Sequence, residues 1–279
     1  MYFSMKSIGF ENEEKIKTIK AETDRWQFLY DISKDYGFEG IQFDAVDTVG
    51  YGLELNNLPE YFEEFKLTFH FGGHYKIMSQ REYDIFNKDL GESFETALKH
   101  KMHDISLHPP IDAINGFTIK ERKICEEWFD KAMTKLVKET LRSNISLSLE
   151  SHDYGGAFLF DGLREYARFI DKHPNLGVLI DISHNYYDKF SEDDIINILG
   201  DKNITGLHIS DSLQNVEVRK GTHLVIGEGT INFEKLLGYF GKIPNLCGAL
   251  ELIGNNEGID RSLKNLKKLI ITNNHFPHK

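Results

Sequence analysis

Cysteine is scarce in the 279 residues: Cys125 and Cys247 stand alone, in a spacing that makes neither a metal finger nor a redox pair, and two are too few for a disulfide framework. Long apolar runs are missing too. No window approaches the ~20 consecutive apolar residues that cross a bilayer, and residues 1–10 show neither the apolar centre nor the small-residue cleavage pattern of a leader. The expectation is therefore no membrane partner, no secretion and a reducing, cytoplasmic setting. Positive charge is outnumbered, with 33 Lys and Arg against 44 Asp and Glu and a formal net charge of −11. A nucleic-acid duplex would meet an average repulsive field, so nucleic acid is disfavoured as a partner, though left open, and a small-molecule substrate is favoured. No Pro-, Gly- or Ser-rich linker and no low-complexity segment divides the chain, so residues 1–279 read as a single domain. The sequence is silent on oligomeric state.

What is present is an alternation. Short apolar runs at 6–10, 40–44, 67–70, 104–108, 145–150, 177–181, 204–208 and 248–251 read as eight strands with helical patterns between them. In the segment 159–172, Leu159, Leu163, Tyr166, Ala167 and Ile170 recur at steps of three and four residues, which places them on one helix face. Ser191 followed by Asp194 is a capping-box arrangement that opens a second helix. The segments 121–142 and 261–271 are also helical, and another helix is expected near Asn232. Runs that stay apolar suit strands buried on both faces of a parallel sheet. The predicted fold is α/β, a (β/α)8 TIM barrel. A doubly wound open sheet is the rival, but it needs a Gly-rich phosphate turn after its first strand. Gly9-Phe-Glu-Asn-Glu13 offers acids there instead, so no nucleotide cofactor is expected.

The ends of the runs carry the chemistry. Six of the eight stop at His70, His108, Glu150, Asp181, His208 and Glu251. A parallel barrel gathers its C-terminal strand ends at one rim, where imidazoles and carboxylates would repel and lose hydration unless a cation joined them. Imidazole and carboxylate without thiolate suit a divalent metal such as zinc, manganese or cobalt. His184, three residues past Asp181, and His223, ahead of the Gly227-Glu-Gly229 bend, are further ligand candidates.

The strings Ser148-Leu-Glu150, Leu179-Ile-Asp-Ile-Ser-His184, Gly206-Leu-His-Ile-Ser-Asp211 and His223-Leu-Val-Ile-Gly-Glu-Gly229 resemble, in order and over nearly the whole chain, the xylose isomerase-like barrels, which include sugar isomerases, epimerases and endonuclease IV. For the isomerase and epimerase branch the resemblance implies one metal on Glu150, Asp181, His208 and Glu251. Glu150 and Glu251 would also be the catalytic acid and base, exchanging the proton next to the carbonyl of a sugar or sugar phosphate. His184 would contact a substrate oxygen, Arg219 a hydroxyl or phosphate, and His152 is a third substrate-binding candidate.

For the endonuclease IV branch it implies a zinc-dependent phosphodiesterase with two or three metals. His70, His108, Glu150, Asp181, His184, His208, His223 and Glu251 match eight of nine ligand positions, so His70, His108, His184 and His223 are candidates for a second site. The ninth position, an Asp in that branch, is Gly221 here, with Asp211 as a substitute. His70-Phe-Gly-Gly-His74-Tyr75 also departs from the nuclease pattern. The isomerase is the leading expectation and the hydrolase the alternative.

Simpler roles are expected elsewhere. Asp44 and Asp211 suit helix caps, and His100, His103, His173, His275 and His278 suit solvent. Glu150-Ser-His152-Asp153 contains the letters of a nucleophilic triad, but neighbouring strand residues face opposite ways and no Gly-x-Ser-x-Gly elbow exists.

Overall fold

Eight parallel strands close on themselves in sequence order in the computed structural model, which describes residues 1–6, 10–45, 50–152, 157–215, 221–253 and 255–274. They are β1 Tyr2–Met5, β2 Gly40–Asp44, β3 Lys66–Phe71, β4 Asp104–Leu107, β5 Ser146–Ser151, β6 Gly177–Asp181, β7 Ile204–Ile209 and β8 Cys247–Leu250. β8 pairs with β1 from Tyr2↔Cys247 to Met5↔Leu250, which closes the barrel. The helices that return the chain are α1 Phe10–Thr18, α2 Glu22–Asp35, α3 Gln80–Lys99, α4 Ile119–Ser143, α5 Leu163–Lys172, α6 Ile182–Tyr187, α7 Glu192–Leu199, α8 Phe233–Phe240 and α9 Asn256–Asn274. The expected (β/α)8 barrel is the fold. No helix among the described residues is long and apolar enough to cross a membrane.

The first strand corrects the expected segment 6–10. It is Tyr2–Met5, all four residues buried, so that Lys6 stands at the mouth of the barrel and α1 is already running at Phe10. Local chemistry accounts for the helix boundaries. Thr118 with Glu121, and Ser191 with Asp194, form complete capping boxes at the starts of α4 and α7. Asn232 caps α8 through the backbone N–H of Lys235. α5 begins at Leu163 rather than 159 because Gly162 takes φ 135°, a value that ends any helix approaching it. Leu159 and Phe160 are buried in the loop before it.

A second correction concerns the runs expected to be apolar on both faces. That pattern holds at Val178-Leu179-Ile180, but β3, β4 and β5 alternate. Leu67, Phe69, Ile105, Leu107, Leu147 and Leu149 belong to one continuous apolar cluster with helix residues such as Trp26, Phe86, Phe129 and Tyr166. Thr68, His70, Ser106, Ser148 and Glu150, on the opposite face by the two-residue strand period, are buried as well. The apolar core therefore lies between barrel and helices. Trp26 anchors part of it, meeting Phe62 edge-on at 5.5 Å and Phe43 at 5.9 Å between centroids. The lumen lacks the layers of branched aliphatic side chains that commonly fill such barrels. Its apolar content includes Leu179 and the small separate cluster of Tyr2, Cys247 and Ala249. Gly40 is required beside it, because a Cβ there would lie 2.8 Å from both the Lys66 carbonyl and the Tyr2 ring. Both cysteines are buried and unpaired. His173, expected at the surface, is buried and lies 3.1 Å from Asp130 Oδ1.

Candidate metal centre

Inward alternation and strand register bring the strand-end residues together. Asp181 faces His208 across β6 and β7, and Asp44 faces His70 across β2 and β3. Around His208 Nδ1 stand Glu251 Oε2 at 2.9 Å, Glu150 Oε1 at 3.1 Å and Asp181 Oδ2 at 3.7 Å. The spread brackets the edge of a tetrahedron with metal–donor bonds of ~2.0–2.1 Å, about 3.3 Å. One ligand atom from each of Glu150, Asp181, His208 and Glu251 lies within 4.8 Å of all the others.

Hydrogen bonding orients the set. Gln42 Oε1 accepts from His208 Nε2 at 2.8 Å, which leaves Nδ1 to face the carboxylates. Asp181 divides its two oxygens. Oδ1 accepts from the His184 backbone N–H at 2.7 Å as the cap of α6, while Oδ2 is buried without a hydrogen-bond partner. Glu150 Oε2 and Glu251 Oε2 are in the same condition. Three buried carboxylate oxygens crowded around imidazole nitrogens, with no backbone or hydroxyl donor of their own, are the natural complement of a cation, so the residues fit a divalent metal.

The electrostatics agree. Burial opposes a charge on His208, yet Glu150, Glu251 and Asp181 hold its pKa well above the ordinary imidazole value. Burial would raise Glu150 and Glu251, but His208 and His108 pull the first well below the usual carboxylate range, and Lys6 and His208 do the same to the second. Lys6 Nζ lies 2.9 Å from Glu251 Oε1, its side chain only 6% exposed. Burial works against its charge, and Glu251, Glu150 and Asp44 more than restore it.

A second group shares Glu150. His70 Nε2, His108 Nε2 and Glu150 Oε2 form a triangle with sides of 3.2, 3.2 and 3.4 Å. Ser106 Oγ lies 3.0 Å from His70 Nδ1 and donates to the Phe69 carbonyl at 3.4 Å, so it accepts from Nδ1–H and leaves Nε2 as a lone pair. Burial keeps His70 neutral, with its pKa well below normal.

A third group joins Asp181, His184 and His223 within 4.8 Å. The backbone N–H of His223 is held by Ser183 Oγ at 3.0 Å. Asp211, the suggested stand-in for a ninth ligand, is committed elsewhere. Its carboxylate accepts from the backbone N–H groups of Ser212, Gly227 and Ile231 at 2.9, 2.8 and 3.2 Å, pinning the loop that carries Gly227.

His152 stacks between Phe158 at 4.3 Å and His184 at 4.1 Å and meets the edge of His108 at 4.8 Å. Burial holds it neutral, its pKa well below normal. One of its ring nitrogens lies within 4.8 Å of ligand atoms of His108 and Glu150. Ser151, the serine of the apparent triad, accepts from Asn185 Nδ2 at 2.7 Å and from the Asp181 N–H at 3.2 Å, a scaffolding role. Arg219 lies outside the described residues. Gln42, Ser106 and Lys6 escaped the sequence reading. The signal for the first two was their position two residues before Asp44 and His108, on the same strand face.

Residues 30–269 match the family model described as a xylose isomerase-like TIM barrel. Among curated proteins, the probable endonuclease 4 of Mycoplasma mobile is 30% identical over 139 residues, 47% of this chain and 47% of that protein, so the match spans about half of each. Among solved structures, a D-tagatose 3-epimerase-like protein superposes with a TM-score of 0.76 at 18% identity over 98% of both chains. An L-ribulose 3-epimerase gives 0.72 at 11% identity over 100% of this chain and 99% of the other. The IOLI protein with a bound zinc atom gives 0.71 at 13% identity over the whole of both. At these identities the structural likeness is one of fold.

Proposed function

The chain belongs to the xylose isomerase-like TIM barrel family, and from that premise we propose that it is a metal-dependent isomerase or epimerase of a sugar or sugar phosphate, with residues 1–279 as its single domain. The observation that carries the reading is the meeting of Glu150 and Glu251 with Asp181 at His208 Nδ1, within 2.9–3.7 Å of that one atom. Glu150, Asp181, His208 and Glu251 would hold zinc, manganese or cobalt, which supplies polarisation of the substrate oxygens when bound.

Glu150 and Glu251 then exchange the proton on the carbon next to the carbonyl. Glu251, with its side chain 22% exposed, faces the open end, and Lys6 fixes one of its oxygens and weakens it as a base. A weakened base competes only if it is aimed at the C–H bond, and the Lys6 contact supplies that aim. His184 and His152 line the same rim as groups for substrate oxygens, and Arg219 is assigned a hydroxyl or phosphate. The two buried free cysteines favour a reducing cytoplasm.

The triangle of His70, His108 and Glu150 favours a second reading, a zinc-dependent phosphoester hydrolase of the endonuclease IV kind, with nucleic acid as the less favoured partner. One screen separates the two: ketoses and their phosphates in deuterated water with zinc, manganese or cobalt, alongside an abasic DNA duplex. The isomerase reading expects solvent deuterium on the carbon beside the carbonyl. Strand incision without sugar turnover would replace it with the hydrolase.

A further inference from the structure

The polar lumen continues below the metal centre to the opposite mouth of the barrel. There, a cavity of about 200 Å³ is lined in part by Tyr2, Gln42, Thr68, Asp104 and Cys247. Tyr2, Asp104 and Cys247 are the first residues of β1, β4 and β8, a full strand length from the rim where Lys6, His108 and Glu251 stand.

Two oxygens that line this cavity are buried with no hydrogen-bond partner: Asp104 Oδ1 and Thr68 Oγ1. Thr68 is 3% exposed. The pairing of Phe69 with Ile105 sets Thr68 beside Asp104 on neighbouring strands. Asp104 accepts a hydrogen bond from Ser148 Oγ at 2.8 Å, and no lysine or arginine among the described residues forms an ion pair with it. Lys66 extends instead over the Tyr2 ring, its Nζ 4.2 Å from the centroid.

A buried carboxylate oxygen with no donor and no ion-pair partner, beside an unpaired threonine hydroxyl oxygen, is an arrangement that proteins rarely leave unsatisfied. We infer that this cavity binds a compact monovalent cation, potassium, ammonium or a small protonated alkylamine, with Asp104 as its counter-ion and Thr68 Oγ1 as a neutral oxygen ligand. The unsatisfied atoms are all oxygens, the donors that hard cations take. The space exceeds the ~30 Å³ share of one water several times over, enough for an ion with part of its hydration shell or an amine of a few heavy atoms. Gln42, which lines the cavity, also holds His208 Nε2, but none of the residues around His208 Nδ1 contributes a ligand to the site.

The test uses the full chain with its divalent metal in choline buffer. Crystals soaked in thallium(I) acetate are examined by anomalous diffraction, and potassium, ammonium and methylammonium chlorides are titrated calorimetrically. The expected result is an anomalous peak in contact with Asp104 Oδ1 and Thr68 Oγ1. Binding should be saturable, fall at least tenfold in Asp104→Asn and weaken in Thr68→Val. The latter removes a hydroxyl without changing charge and carries the comparison if the former fails to fold. Potassium binding without methylammonium binding identifies an inorganic ion, and the reverse identifies an amine. Water alone in the cavity, or binding unchanged in both variants, overturns the inference.

Discussion

Gln42 and His208 are joined through the barrel lumen by a 2.8 Å hydrogen bond from the imidazole Nε2 to the amide oxygen, and that bond decides which ring nitrogen faces the carboxylates. Without it the ring is free to choose the other tautomer or to turn. Gln42→Leu is therefore expected to leave the fold intact and to weaken retention of a divalent metal by about 10–100-fold. Equilibrium dialysis against zinc or manganese measures this, and an unchanged affinity would remove Gln42 from the centre's support.

Glu251→Gln is expected to abolish turnover and weaken metal retention while the chain still folds. The Lys6 pair makes the change more costly than a rim position alone implies, because Lys6 is nearly buried and loses its nearest counter-charge. With Glu251 partly exposed, the expected loss is on the order of 1–3 kcal/mol by urea denaturation. Adding Lys6→Met should restore part of it. If the double variant is no more stable than Glu251→Gln, the cost does not come from stranding the Lys6 charge.

Metal stoichiometry separates the two chemical readings. A mononuclear isomerase retains about one ion per chain, and His108→Ala should leave that count unchanged by elemental analysis. Two or three zinc ions in the unaltered protein, falling by one in the variant, would give the His70–His108–Glu150 triangle an ion of its own and favour hydrolysis.

Burial pushes the Asp104 carboxyl up to about 7, against about 3.9 in an unfolded chain. Between those values the folded chain holds more protons than the unfolded one, so stability falls as pH rises through about 4 to 7 and levels off above. In choline salts, where no compact cation offsets the charge, Asp104→Asn should exceed the parent protein by on the order of 2 kcal/mol at pH 8, with the gap closing toward pH 4. Denaturation midpoints across that range check the sign, and a gap independent of pH would show that Asp104 is not protonated by its surroundings.

The strand ends were legible because a parallel barrel turns the last residue of each strand into a rim position whatever lies between. Glu150, Asp181 and His208 need only an apolar run that stops. Lys6 was not legible, since Ile8 and Phe10 carry the apolar pattern on past Tyr2–Met5, and a strand placed too late hides its own end. Gln42 and Ser106 were hidden by the assumption of an aliphatic lumen. Once polar residues are read at every second position, their place beneath the rim follows. Asp211 shows the converse, a strand-end acid with every feature of a ligand except freedom from its own loop, which only coordinates reveal.

Because the apolar cluster lies outside the strands and the polar column inside them, the two layers meet only through the strand backbone. Truncating Phe69 or Leu149 would loosen the scaffold without touching an imidazole, whereas exchanging Thr68, Ser106 or Ser148 rewrites the interior with little effect on what holds the helices on. A barrel organised this way can acquire new chemistry one inward row at a time, its foldability insulated from the search.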